Sequence, residues 1–113
     1  MATRYYVAIP DPAKARAAGE FAFRSQGAEG MAQELQEALR TNALFERWRA
    51  SQDDPDEVDP ALGLTDPGAT VEGRQDDLHI DLIVVTSIAG AVFKQRLRWL
   101  AGSAWELRDV SSA

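Results

Sequence analysis

The C-terminal third constrains this chain most. Leu78 to Val85 reads as a buried strand, Ala89 to Leu100 as a basic amphipathic helix, and Ala104 to Val110 as a second strand. Such a strand-helix-strand unit belongs to folds that layer helices on a sheet. In its first strand Leu78, Ile80, Leu82 and Val84 share one face. The other face begins polar with His79 and Asp81 and ends apolar with Ile83 and Val85, which predicts burial on both sides for the second half. Ala89, Val92, Phe93, Leu97, Trp99 and Leu100 make the apolar side of the helix, with Ser87 placed to cap its start and Gly102 to end it. Trp105 and Leu107 then alternate with Glu106 and Arg108.

The N-terminal half supplies the rest of a sheet. Arg4 to Ile9 alternates as a strand with apolar residues on both faces, ended by Pro10 and Pro12. Residues 13–20 read as a loop, and Phe21-Ala22-Phe23 as a short extra strand. From Ala28 the spacing becomes helical, with Ala28, Met31, Ala32, Leu35, Ala38 and Leu39 on one side. Ser25 and Gly27 can start this helix, and Asn42 can stop it or restart the chain. Leu44, Phe45 and Trp48 predict a second short helix over Ala43 to Ala50. About 51–68, with Pro55, Pro60, Pro67 and most of an acidic run, reads as an irregular excursion. Thr70 to Gln75 has weak strand character interrupted by Gly73, and Gln75-Asp76-Asp77 reads as the turn into the strong strand.

This order predicts an α+β fold, a ferredoxin-like βαββαβ sandwich: an antiparallel sheet with helices on one face, carrying a short extra helix and an acidic loop after the first main helix. The plan places the two most apolar strands centrally and sends the Gly73 strand and the charged C-terminal strand to the edges. A flavodoxin-like sheet would need more helices than the pattern supplies. At 113 residues the chain has the size of a single domain spanning 1–113.

Composition narrows the chemistry. The chain has no Cys, which removes disulfides, thiolate metal sites and thiol nucleophiles and fits a reducing compartment. Its N-terminus lacks the apolar run of a signal peptide and no stretch is long enough to span a membrane, so a cytoplasmic location is expected. Ten Arg against two Lys, with abundant Ala, suggests a bacterial source. The net charge of −6 is concentrated in residues 46–81, which hold eleven acids against three bases. That balance opposes nucleic-acid binding and suits a basic protein partner.

His79 is the only histidine and the only side chain ordinarily suited to proton transfer near neutral pH, with Asp77 and Asp81 on its strand face as possible orienting groups. The competing reading is a half-exposed histidine supplied with hydrogen bonds by nearby acids. Strand neighbours two apart lack a third ligand direction, so neither a metal nor a cofactor is assigned. The run Asp53, Asp54, Asp56, Glu57, Asp59 does not make a calcium loop: counted from Asp54, the required glycine position holds Asp59 and the bidentate position Thr65. It reads as a Pro-stiffened solvated loop or as a docking site for a basic partner.

Arg96 falls inside the apolar stripe of the last helix, between Val92 or Trp99 and Leu100 or Phe93. There it must snorkel, pair with a buried carboxylate or face a partner. Tyr5, Tyr6, Trp48, Trp99 and Trp105 can form a base-stacking platform on an open sheet, but the net charge and Asp81 favour packing roles instead. A sheet face carrying Tyr6 or Tyr5 beside Ile83 and Val85 would be an apolar surface unless residues 13–24, the acidic excursion or another subunit covers it.

These features favour a small acidic, non-enzymatic protein-binding module of regulatory, inhibitor or immunity type, using Asp53, Asp54, Asp56, Glu57 and Asp59 or the face of Tyr6 and Asp81. The alternative is a homodimeric small-molecule-binding protein or enzyme of the α/β-barrel sort, with a pocket near His79. Mimicry of nucleic acid by the acidic middle is a third reading.

Overall fold

In the computed structural model, which describes residues 2–113, the elements are β1 (Thr3–Ile9), α1 (Pro12–Arg16), α2 (Ala28–Arg40), α3 (Ala43–Ala50), two 3-10 turns (Pro55–Glu57 and Pro60–Gly63), β2 (Thr70–Asp76), β3 (His79–Thr86), α4 (Gly90–Ala101) and β4 (Glu106–Ser112). The strands make an antiparallel sheet in the order β2-β3-β1-β4. The fold is thus α+β. Its two most apolar strands are central and the polar β2 and β4 lie at the edges. The second half of β3 is buried on its core face alone, Ile83 and Val85 on the other face being half-buried rather than buried as the sequence predicts.

One sheet face carries the core. Tyr5, Val7 and Ile9 of β1 stand opposite Val84, Leu82 and Ile80 of β3, and all six are buried. The Tyr5 ring stacks on Phe93 of α4 at 4.3 Å. All six apolar positions of the α2 stripe are buried as their spacing requires. Gly73 explains how α2 comes so close to the β2 backbone: a Cβ there would lie 2.2 Å from the Ala28 carbonyl oxygen. Farther along α2, the Gln36 side chain accepts from the Val71 N–H at 3.0 Å and Arg40 Nε donates to the Ala69 carbonyl at 2.6 Å. Together these contacts tie the edge strand to the helix.

Several local expectations are corrected. Residues 12–16 form a short helix rather than a loop, because Asp11 accepts from the Lys14 N–H at 3.2 Å and Pro12 sits in the first turn. Phe21 to Phe23 is not a strand. Phe23 is instead buried in the core, its N–H donating to the Leu100 carbonyl at 2.8 Å. Ser87 does not cap α4: the helix begins at Gly90 with Ala89 at its N-cap, two residues beyond Ser87, whose N–H donates to Asp66. Leu78 leaves the strand for the hairpin turn and is 80% exposed. Gly102, by contrast, does end α4, at φ +60°. Among the described residues no helix is long and apolar enough to cross a membrane.

Candidate functional site

The second sheet face is the first candidate surface. Register places Arg4, Tyr6 and Ala8 opposite Val85, Ile83 and Asp81, and places Thr70, Glu72 and Arg74 beside that same β3 row. The segment after β1 packs against α4, and the second 3-10 turn packs against α3 and α4. Neither segment expected as a cover therefore lies over this face. Tyr6, Ile83 and Val85 are half-buried by their neighbours on the sheet. The other aromatics do not join Tyr6: Tyr5 faces the core, and Trp48 stacks on Trp99 at 4.6 Å among the helices. A multi-aromatic platform for bases is thus not assembled.

At the hairpin end of this face, His79 Nε2 lies 3.3 Å from Asp81 Oδ2 and 3.8 Å from Asp76 Oδ2. Asp81 belongs to the expected set; Asp76 replaces Asp77. The turn falls one residue later than its composition suggests, so Asp76 pairs directly across from His79, while Asp77 takes a left-handed φ of 56° in the turn. An open depression bordered by Pro10, Asp77, Leu78, His79 and Arg108 adjoins this end of the sheet.

The acidic excursion is the second candidate surface, and it is built rather than irregular. Its two 3-10 turns place Val58 and Leu62 against the core. Arg49 Nε donates to the Pro55 carbonyl at 2.9 Å, and the Asp59 carboxylate accepts from the Ala61 N–H at 2.9 Å. Gly63 lies so close to Phe45 that a Cβ would meet its ring at 2.5 Å. Asp53, Asp54, Asp56, Glu57 and Asp59 are all exposed. Within this run the Arg49 guanidinium approaches Asp56 at 3.8 Å, a long and solvated contact of little energetic weight.

Arg96 neither snorkels nor pairs with a carboxylate. It is fully buried, and its Nη2 donates to the Leu62 carbonyl at 2.8 Å and the Leu64 carbonyl at 2.7 Å. The guanidinium thus closes the end of the second 3-10 turn and fastens the excursion to α4. Its Nε and Nη1 have no protein partner, as does the buried Nε1 of Trp99. Burial without a counter-charge disfavours the cation and pulls the Arg96 pKa below its ordinary value.

The excursion's exit is fixed by Asp66, a residue outside the candidate set of the sequence. Its carboxylate accepts from the Ser87 N–H at 2.9 Å, the Thr86 hydroxyl at 2.9 Å and the Gly68 N–H at 3.0 Å. The Ser87 hydrogen bond leads those that hold the Asp66 pKa below its usual range, outweighing partial desolvation. The Asp66-Pro67-Gly68 turn chemistry was its available signal. The partners near Ser87 are distant in sequence and carry no local signal.

The chain shows no match to a protein-family model, a curated protein or a solved structure.

Proposed function

We propose that this chain is a small, non-enzymatic protein-binding module that presents residues 53–59 as an anchored acidic ridge to a basic protein surface. The supporting observation is the exposure of all five carboxylates on a segment held by Arg49, Arg96 and Asp66. A segment ordered before binding loses less conformational entropy on docking than a free loop. Its concentrated charge accelerates encounter with an oppositely charged partner. The sheet is read as ferredoxin-like βαββαβ in a single domain, a reading supported by central β1 and β3 and by the hairpin between the two helical crossovers.

The test compares capture from a lysate of the source cells by the native chain and by Asp53→Asn/Asp54→Asn/Asp56→Asn/Glu57→Gln, at low and moderate salt. The ridge reading expects a partner retained by the native chain at low salt, weakened by salt, and lost from the neutralised variant. Identical recoveries from the two chains would refute it.

A second reading is self-association through the Tyr6, Ile83 and Val85 face, with the depression near His79 enclosed between two sheets. The uncovered, half-buried apolar strip supports it. Sedimentation decides this reading: a concentration-independent monomer removes it, whereas a dimer dissociated by Ile83→Asp sustains it.

A further inference from the structure

We propose that Asp76, His79 and Asp81 form a surface site for a divalent late first-row metal ion, with Zn²⁺ as its representative ligand. On one strand, His79 and Asp81 supply only neighbouring donors. The hairpin brings Asp76 from the opposite strand, and this cross-strand donor supplies the missing ligand direction. One ligand atom from each side chain lies within 4.8 Å of the others.

The two separations from His79 suit a shared ion, and the Asp76 and Asp81 oxygens, within 4.8 Å of each other, close on it by side-chain rotation. Two donors about 2.1 Å from a tetrahedral zinc stand roughly 3.4 Å apart. His79 Nε2 is 3.3 Å from Asp81 Oδ2 and 3.8 Å from Asp76 Oδ2. The side chains are 39% exposed for His79, 41% for Asp81 and 71% for Asp76, so small rotations can complete the approach without disturbing the core. The nearby cations are engaged elsewhere on the face: Arg74 pairs with Glu72 at 3.3 Å and Arg108 with Glu106 at 2.8 Å. Among the described residues, His79 is the ion-pair partner of both Asp76 and Asp81.

The donor set also selects the ion. One imidazole and two carboxylates carry two negative charges when the histidine is neutral, matching a divalent ion. Imidazole favours zinc, cobalt or nickel over calcium and magnesium, which prefer an all-oxygen shell. Solvent completes the coordination, leaving positions for an external donor.

The experiment titrates the full chain with Zn²⁺ alone in a non-chelating buffer by calorimetry, and with Co²⁺ by visible absorption. The site requires one Zn²⁺ per chain and a Co²⁺ spectrum that Zn²⁺ displaces. Asp76→Asn, Asp81→Asn and His79→Gln should each weaken Zn²⁺ by at least about tenfold. Asp77→Asn, which changes charge equally at the neighbouring turn, should stay within about twofold of the native chain. Far-ultraviolet circular dichroism checks that each variant folds. Absence of stoichiometric Zn²⁺ binding at millimolar ion, equal losses in Asp77→Asn and Asp76→Asn, or Ca²⁺ binding as tight as Zn²⁺ would overturn the assignment.

Discussion

Replacing Gly73 by Ala tests the contact that sets the edge strand against the helical layer. The added Cβ would lie 2.2 Å from the Ala28 carbonyl oxygen and 3.1 Å from the Ala32 Cβ. Ordinary contact requires the strand and helix to separate by roughly 1 Å in a closely packed interior. Backbone pairing with β3 restrains β2, while buried Ala28, Met31 and Ala32 restrain α2. Overpacking of this kind costs about 1–3 kcal/mol, and a backbone neighbour puts it toward the upper end. The reduced freedom of alanine in the unfolded chain returns about 0.4–1 kcal/mol. A net loss near 2 kcal/mol follows, and at about 4 °C or more per kcal/mol it lowers the melting temperature by about 8 °C or more. Urea and thermal unfolding should be followed by tryptophan fluorescence and circular dichroism, beside Gly19→Ala, whose Cβ meets nothing within 4 Å. Equal stability of Gly73→Ala and Gly19→Ala would refute the close-packing argument.

Arg96→Met removes a buried cation together with its hydrogen bonds to Leu62 and Leu64. Global stability should change by less than about 2 kcal/mol because the charge's burial penalty disappears as well, while hydrogen exchange at residues 57–64 accelerates. Unchanged exchange there would show that Arg96 does not anchor the excursion. Asp66→Asn should destabilise the native state at neutral pH by about 1–3 kcal/mol through weakened hydrogen bonds from Ser87, Thr86 and Gly68. Because the folded Asp66 pKa lies below its ordinary carboxylate value, its ionised contribution is present above that ordinary value and lost as pH falls through the folded pKa. The difference between native and Asp66→Asn stabilities should therefore shrink from pH 7 into strong acid; urea titrations giving a constant difference would contradict this linkage. Asp77→Gly should match or modestly exceed native thermal stability, since glycine accepts the φ of 56° without Cβ strain. A drop of several degrees would show that the Asp77 side chain stabilises the turn.

The legible parts of the fold are those specified by short-range repetition. Six apolar positions define the buried side of α2, and alternating apolar residues identify β1 and β3 as strands able to occupy the centre. Asp11 and Pro12 also carried the start of α1, a signal obscured by the small, charged residues that follow. The hairpin itself was legible, but its register was not. A turn one residue later than its composition suggests exchanges Asp77 for Asp76 beside His79 and moves Leu78 into solvent.

By itself the sequence determined an acidic α+β chain, with an excursion before its hairpin and an arginine inside an apolar stripe. Tertiary structure alone decided that Arg96 binds backbone carbonyls of the excursion, that Gly73 admits α2, and that β2 brings a carboxylate across to His79. The physical reason is range. Helix and strand periodicities arise within a few residues, whereas buried hydrogen bonds and cross-strand donor sets depend on partners brought together only when the chain closes on itself.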